Sequence, residues 1–300
     1  MKPLYVDLQV NGHGGVDLLT ATNADDVRKV SRSLYQNGVV GYLPTIITSA
    51  LSSAVRAIKL IEEVRANPLP GEAKILGTHL EGPFISKEKR GVHPIEHIVT
   101  PDLNHLKALL NAGLIKIVTI APELPGAIEL IQYLVAKGVV VSLGHTNADR
   151  AQASAGFDAG AKTVTHLFNA MPKPPLNGLA QVAIEREDVE IQVIIDQVHV
   201  PNDLLKQTLA QVSKRFIVTN DPIAAAGLGS GTFPFGDMEI TVKDGQARRT
   251  DGTLAGGIGT LAQSLEIMAA IGIESEDAIA SVTTRPCELI GVDYQKLINL

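Results

Sequence analysis

Polar residues able to bind a metal ion or move a proton follow several short apolar segments of the chain. Glu81, His145 and His166 each stand at the end of such a segment, and Asp221 follows the last one. One carboxylate and two imidazoles are the ligand set of a catalytic zinc site that keeps one position open for water. Because zinc lowers the pKa of bound water from about 15.7 to about 7, a carboxylate such as Asp221 could accept the water's proton. These residue types predict metal-assisted hydrolysis.

Each of these residues also has a purely structural interpretation. A single histidine at a strand end more often completes local hydrogen bonds than binds a metal, and the spacing here is not a local motif such as H-E-x-x-H. His145-Thr146-Asn147 could instead cap the helix that the pattern predicts over residues 148–159. The functional interpretation therefore depends on a fold that brings these positions together.

Eight segments rich in β-branched residues alternate with helical patterns. The helical patterns include residues 24–37, 51–66 and 125–137. Apolar strands that alternate with helices form a parallel sheet buried on both faces. Eight such units predict a (β/α)8 barrel of the TIM type, in which catalytic side chains lie at the C-terminal ends of the strands. The predicted strands are 4–10, 39–45, 75–80, 115–120, 139–143, 163–166, 191–195 and 216–219.

Two stretches depart from this alternation. The segment after Val182 is a weak helix pattern, and residues 222–257 form a long glycine-rich stretch with a predicted hairpin, before a last barrel helix at about 258–271. Long loops in compact domains are usually functional. The alternative fold is an open doubly wound sheet, but the early glycines lack its G-x-G-x-x-G spacing. Since no repeat or linker divides the chain, residues 1–300 are predicted to be one domain.

Composition excludes several kinds of partner. The 300 residues are 45% hydrophobic and 19% charged, which is enough apolar material for a large core. A net charge of −6 argues against nucleic acid, and no apolar run is long enough to span a membrane. The single cysteine, Cys287, cannot form an internal disulfide. We expect a cytoplasmic protein without nucleic-acid or membrane partners.

Six stretches form recognisable motifs: VDLQVNGHGGVD (6–17), GVVGYLPTIITS (38–49), HLEGPF (79–84), GHT (144–146), THLFNAMP (165–172) and TLAG (253–256). HLEGPF followed by THLFNAMP is a specific combination. Together the motifs resemble those of the N-acetylglucosamine-6-phosphate deacetylases of the amidohydrolase superfamily, over almost the whole chain. The resemblance implies metal-dependent removal of the acetyl group from an N-acetylated amino sugar, in this family a 6-phosphate.

The same resemblance implies roles for particular residues. Glu81, His145 and His166 match the metal ligands, and Asp221 matches the catalytic aspartate. His93, in a segment that resembles K-K-G-A-H, would polarise the acetamide carbonyl. The positions that match substrate contacts are Val92, Asn169, Ala170 and His199.

The strand-one pair Gln9 and Asn11 stands where many amidohydrolases place two histidines for a second metal. Amide side chains are much weaker metal ligands than imidazoles. One divalent ion, zinc, is therefore expected.

Three features depart from the family pattern. The arginine that binds the sugar phosphate has no counterpart in residues 171–178, where Lys173 is the candidate to replace it in part. Gln197 takes the place of a glycine and is expected beside the sugar pocket. The small β-sandwich of the family is expected to be missing, so the barrel surface it would cover is expected to form a homo-oligomer contact or to be polar.

Two other functions stay open from the sequence. The same metal site could act on an unphosphorylated sugar or on another N-acyl compound, and the missing phosphate arginine favours this. A barrel that binds a ligand without turnover is the other alternative. The complete ligand set together with Asp221 argues against it, because a binding protein has no need of a general base.

Overall fold

The computed structural model describes residues 4–173 and 177–299. Nine parallel strands form one sheet, and eight of them lie side by side in the order in which they occur in the chain, from Tyr5–Val10 to Phe216–Val218; the ninth, Lys74–Ile75, pairs with Val39–Ile47. The strands are β1 (Tyr5–Val10), β2 (Gly12–His13), β3 (Val16–Asp17), β4 (Val39–Ile47), β5 (Lys74–Ile75), β6 (Thr78–Glu81), β7 (Ile115–Ile120), β8 (Val140–Leu143), β9 (Thr163–Val164), β10 (Glu190–Val193), β11 (Phe216–Val218), β12 (Gly231–Phe235), β13 (Met238–Lys243) and β14 (Gln246–Arg248).

Helices follow most of these strands. They are α1 (Ala24–Gln36), α2 (Leu51–Ala66), α3 (Leu103–Leu110), α4 (Ala127–Ala136), α5 (Arg150–Asp158), α6 (Leu179–Glu185), α7 (Asn202–Gln211), α8 (Leu261–Ala270), α9 (Ser275–Ser281), α10 (Thr284–Leu289) and α11 (Tyr294–Ile298). The sequential strand order confirms the predicted (β/α)8 barrel and excludes the open doubly wound sheet, whose strand order reverses at its centre.

The barrel closes through side chains and loop backbone rather than through a strand ladder. Between β1 and β11 the Thr219 hydroxyl donates to Asp7 Oδ1 at 2.5 Å, and the Asn220 backbone N–H donates to Asp7 Oδ2 at 3.3 Å. Just beyond the strands, the Asn11 N–H donates to the Pro222 carbonyl at 2.9 Å. This seam brings the end of β1 beside the end of β11, where Asp221 stands.

Local sequence explains the elements. All nine residues of β4 are buried, as expected of a parallel strand covered on both faces. Asn23 caps α1 by accepting from the Asp26 N–H, and Val27, Val30 and Leu34 form its buried face. The predicted third strand, 75–80, is instead two strands, β5 and β6. They are separated at Gly77, whose φ of +138° breaks the run.

The glycine-rich stretch 222–257 contains a small antiparallel sheet, β12-β13-β14. The predicted hairpin is confirmed as β13 and β14 joined by Asp244 and Gly245, both with positive φ, as in a type I′ turn. The Gly236 N–H donates to the buried Asp17 carboxylate at 3.1 Å, which ties the turn before β13 to β3. In the part of the chain that the structure describes, no helix has the length and apolar character needed to cross a membrane.

Candidate active site

A cavity of about 190 Å³ opens at the C-terminal ends of the barrel strands. Nine of the ten predicted site residues line it, although they come from six different parts of the chain. The residues therefore meet at one cavity, and their chemical roles there are predictions. The lining residues are Glu81, Gly91, Val92, His93, His145, His166, Asn169, Ala170, Ile194, His199, Asp221, Phe235, Thr253, Leu254 and Gly256.

Three ligand atoms meet at the base of this cavity. Glu81 Oε1 lies 3.1 Å from His145 Nε2 and 3.0 Å from His166 Nε2, and the two nitrogens are 3.2 Å apart. Ligands at about 2.0–2.1 Å from a tetrahedral zinc are separated from one another by about 3.3 Å. The spacing of the three atoms therefore fits one small divalent ion.

His93 extends this cluster. Its Nε2 lies 3.8 Å from Glu81 Oε2, and ligand atoms of Glu81, His93 and His145 all fall within 4.8 Å of one another. The predicted ligands Glu81, His145 and His166 have the shortest separations in the cluster. His93 faces the other oxygen of Glu81.

The backbone at the strand ends directs these side chains into the barrel mouth. His145, His166 and Asp221 have φ values of +48°, +32° and +50°, in the left-handed region that ordinary residues rarely adopt. Each such residue costs on the order of 1–3 kcal/mol and persists only where its surroundings enforce it. The clustering of this strain at the predicted ligands and at the predicted base is typical of a functional site.

A carbonyl group sets the orientation of His145. Its Nδ1 lies 2.9 Å from the Lys89 carbonyl oxygen, which can only accept, so Nδ1 carries the proton and the Nε2 lone pair faces the cluster. The alternative in which residues 145–147 cap a helix is wrong. Asp149 caps α5 in a capping box with Gln152.

Two buried carboxylates face the cavity, whose described lining contains no lysine or arginine. Burial raises the pKa of Asp221 to about 8, and the negative charge of Glu81 adds to the effect. Burial alone would also raise the pKa of Glu81, but the imidazoles of His145 and His166 beside it hold the pKa well below its usual value. Mutual repulsion of two carboxylates in an apolar wall favours a bound cation.

An amide on β1 and another directly after β1 hold these carboxylates. Gln9 Nε2 donates to Glu81 Oε1 at 2.9 Å, and Asn11 Nδ2 donates to Asp221 Oδ1 at 2.6 Å. Their amide nitrogens are therefore engaged with carboxylates, whereas Gln9 Oε1 and Asn11 Oδ1 have no hydrogen-bond partner among the described residues.

Two further histidines are fixed by buried or partly buried partners. His93 Nδ1 lies 3.4 Å from the Thr48 backbone N–H nitrogen and 2.9 Å from its hydroxyl oxygen. Burial, with His145 as the second cause, lowers the pKa of His93 to about 3, so the ring is neutral. His199 Nδ1 lies 2.7 Å from Asp196 Oδ2, which leaves its Nε2 for the cavity. Both rings can make directed hydrogen bonds to a ligand.

Sequence reasoning assigned no role to Phe235 or Leu254, which come from the glycine-rich stretch and line the same cavity. The unusual length of that stretch was the available indication of a functional loop. The glycine of its TLAG motif has a structural reason. At Gly256, with φ of +68°, a Cβ atom would lie 2.6 Å from the Asp221 carbonyl oxygen.

Two expected pocket residues do not line the cavity. Lys173 is exposed and is not among the lining residues, and positions 174–176, which complete the shortened loop, lie outside the described residues. Gln197, expected beside the sugar pocket, is exposed and lines a separate cavity of about 390 Å³. Gln197, whose backbone has φ of +63°, therefore does not line the candidate site.

An eight-stranded parallel barrel that brings one carboxylate and two imidazoles together at its strand ends is a TIM-type barrel with a candidate metal site. A solved dihydroorotase shares this fold with a TM-score of 0.55 at 13% identity. No protein-family model matches the sequence.

Curated relatives are more specific. An N-acetylglucosamine-6-phosphate deacetylase of Caenorhabditis elegans is 34% identical over 99% of this chain and 75% of its own length. An N-acetylgalactosamine-6-phosphate deacetylase of Escherichia coli O157:H7 is 30% identical over 97% of this chain and 78% of its own length. The crystal structure of the N-acetylglucosamine-6-phosphate deacetylase of Pasteurella multocida covers 96% of this chain and 76% of its own, with 30% identity and a TM-score of 0.90. The chain belongs to the N-acetylglucosamine-6-phosphate deacetylase family.

Proposed function

We propose that this protein hydrolyses the acetamide of an N-acetylhexosamine 6-phosphate, releasing acetate and the free amino sugar. The observation that carries the proposal is the convergence of Glu81, His145 and His166 with Asp221 and His93 in one cavity at the barrel mouth. Family membership adds the substrate class. The particular sugar is N-acetylglucosamine 6-phosphate, and the relative named for the galactosamine epimer makes that epimer the second candidate.

Glu81, His145 and His166 would hold one divalent ion, zinc. The three atoms that would bind it are 3.0–3.2 Å apart, and two imidazoles with one carboxylate are ligands that zinc favours. An ion at this site supplies a hydrolytic nucleophile at neutral pH by lowering the pKa of water. Amide side chains are weaker metal ligands than imidazoles, so Gln9 and Asn11 at the end of the first strand support a single ion.

Asp221 moves the proton. Burial raises the pKa of Asp221, and a cation bound beside it would favour the ionised form. That carboxylate lines the cavity and is held at Oδ1 by Asn11, which leaves Oδ2 to accept the proton of the attacking water. The same carboxyl group then returns the proton to the amide nitrogen as the carbon–nitrogen bond breaks. The two proton transfers balance, because the departing amine gains the proton that the water loses.

His93 stabilises the carbonyl oxygen. The Thr48 N–H faces His93 Nδ1, and a backbone N–H can only donate, so Nδ1 accepts and Nε2 carries the proton. That N–H lies on the cluster side of the ring, since Nε2 is 3.8 Å from Glu81 Oε2. It is placed to donate to the oxyanion that forms when water attacks.

The sugar binds against the part of the cavity wall that the metal ligands do not form. Val92, Asn169, Ala170 and His199 line it and form the polar and backbone side of the subsite, and Phe235 supplies an apolar face. His199, held by Asp196, offers Nε2 to a sugar oxygen. The phosphate would lie toward the opening, where Arg90 donates to the His93 carbonyl at 3.2 Å and Lys173 is exposed on a separate loop.

Acetate release from purified, zinc-loaded protein tests the proposal. The substrates are N-acetylglucosamine 6-phosphate, its galactosamine epimer, unphosphorylated N-acetylglucosamine and an N-acetyl amino acid. Acetate release from a phosphorylated sugar, at least as fast as from the unphosphorylated one, supports the assignment. Turnover of the N-acetyl amino acid alone would replace the substrate, and saturable binding without acetate release would make this a binding barrel.

A further inference from the structure

A chain of four polar side chains crosses the barrel interior just before the candidate metal ligands. His79 Nε2 lies 2.8 Å from Thr119 Oγ1, Thr119 Oγ1 lies 2.7 Å from Thr165 Oγ1, and Thr165 Oγ1 lies 2.6 Å from Ser142 Oγ. All four residues have 0% exposure. A buried polar group is costly unless it is hydrogen-bonded, so the direction of each bond in this chain matters.

One fixed acceptor determines that direction. His79 Nδ1 lies 3.1 Å from the Leu8 carbonyl oxygen, which can only accept, so Nδ1 carries a proton. In the neutral ring Nε2 then accepts from the Thr119 hydroxyl. Thr119 in turn accepts from Thr165, and Thr165 accepts from Ser142. Each hydroxyl hydrogen is used once.

The opposite direction is unfavourable. It would require a charged His79 that donates from Nε2, so each hydroxyl would pass its hydrogen toward Ser142. The Ser142 hydroxyl would then have no acceptor among the residues that the structure describes, and an imidazolium would be buried without a carboxylate hydrogen bond. The neutral Nδ1–H form of His79 satisfies every member.

The chain connects the strands that carry the ligands. His79 lies on β6 two residues before Glu81, Thr165 directly precedes His166, and Ser142 lies on β8 three residues before His145. The central member, Thr119, is the β7 partner of Glu81 in the sheet register. One hydrogen-bond chain thus spans β6, β7, β8 and the end of β9.

Gly144, in the GHT motif, makes room for this arrangement. A Cβ atom there would lie 2.8 Å from Thr165 Cβ and 3.1 Å from Thr119 Cγ2. The glycine before His145 is therefore required where the two threonines meet. The motif serves the hydroxyl chain as well as the ligand that follows it.

We propose that Thr119 is a positioning residue. Through this directional chain it holds the strands of Glu81, His145 and His166 at the separation that one divalent ion requires. The inference rests on the metal site of the proposed function but not on its substrate. Groups that orient metal ligands typically change metal affinity about 10- to 100-fold when they are removed.

The test measures zinc affinity rather than activity. Metal-free protein is titrated with zinc against a chromophoric chelator. Thr119→Val removes the hydroxyl at nearly constant volume, and we expect its zinc affinity to fall about 10- to 100-fold. Thr119→Ser restores the hydroxyl and should remain within about threefold of the wild type. Thr45→Val is the matched control, because Thr45 is a buried threonine on β4 with hydrogen bonds of its own to Val10 and Leu43.

A second readout follows the His79 ring directly. Imidazole ¹⁵N NMR of metal-free wild-type protein at pH 7 should show His79 neutral with its proton on Nδ1, and Thr119→Val should disturb that signal while Thr45→Val leaves it unchanged. If Thr119→Val does not fold, Ser142→Ala removes only the terminal donor. It should keep the His79 tautomer and lower zinc affinity at least about threefold relative to Thr45→Val, in line with the loss of one hydrogen bond.

Each result decides the inference. Zinc affinity of Thr119→Val equal to that of Thr45→Val would overturn it, as would a His79 ring whose proton lies on Nε2 instead of Nδ1. If Ser142→Ala is used instead, a zinc affinity equal to that of Thr45→Val would also overturn the inference. Wild-type protein that binds zinc but releases no acetate from any sugar would refute the proposed function and leave this inference intact.

Discussion

Asp221→Asn removes the proposed proton acceptor while preserving its surroundings. Asn11 Nδ2 donates to Asp221 Oδ1 at 2.6 Å, and the amide oxygen of an asparagine can accept the same bond. The residue has φ of +50°, and asparagine is among the few residues that adopt this left-handed conformation readily. Size, hydrogen bond and backbone are all compatible with the substitution, so we expect the variant to fold.

The expected loss is large because only proton transfer is removed. General acid–base catalysis contributes about 10²–10⁴-fold to rate. This corresponds to about 3–5 kcal/mol in the barrier at about 1.4 kcal/mol for each factor of ten. Because Glu81, His145 and His166 are unchanged, zinc content should stay that of the wild type. The fall should appear in kcat, with little change in KM.

Acetate release from N-acetylglucosamine 6-phosphate measures the effect, with zinc content determined by elemental analysis of the same sample. Asp237→Asn is the control, since Asp237 is an exposed aspartate in the turn between β12 and β13. Turnover of Asp221→Asn within about threefold of this control, with zinc bound, would remove Asp221 from the reaction and refute the reasoning.

Three further predictions follow from the same site. Elemental analysis should give one equivalent of zinc per chain, and chelation should abolish activity that zinc restores; two equivalents would contradict the single site inferred from Gln9 and Asn11. His93→Ala should retain zinc but lose about 2.7–4 kcal/mol of transition-state stabilisation, seen in kcat; loss of the metal instead would make His93 a ligand. Discrimination between N-acetylglucosamine 6-phosphate and the unphosphorylated sugar should be weak, because Lys173 lacks the bidentate geometry of arginine. A preference for the phosphorylated sugar of several orders of magnitude in kcat/KM would show that another cation binds the phosphate. Arg90 would be the first residue to substitute in that case.

The sequence predicted the barrel because the alternation of strand and helix patterns can be recognised from neighbouring residues alone. Apolar runs such as residues 115–120 bury both faces of a strand, and capped amphipathic segments such as α1 alternate with them. Strand ends were predictable within a few residues, and in a barrel they share one rim. This was enough to select Glu81, His145, His166 and Asp221 for one site.

Contacts between distant segments could not be predicted in this way. The sequence does not indicate that residues 222–257 fold back so that Phe235 enters the cavity, or that Gln197 turns toward a separate one. Likewise, HLEGPF identifies His79 but not its bond to Thr119, 40 positions away.

Residue identity and periodicity thus determined the barrel and the ligand types by themselves. The tertiary structure decided which atoms meet, because a separation of 3.0 Å between Glu81 Oε1 and His166 Nε2 depends on strand register and on strained backbone angles. Both are stabilised by packing across the whole barrel rather than by neighbours in the chain.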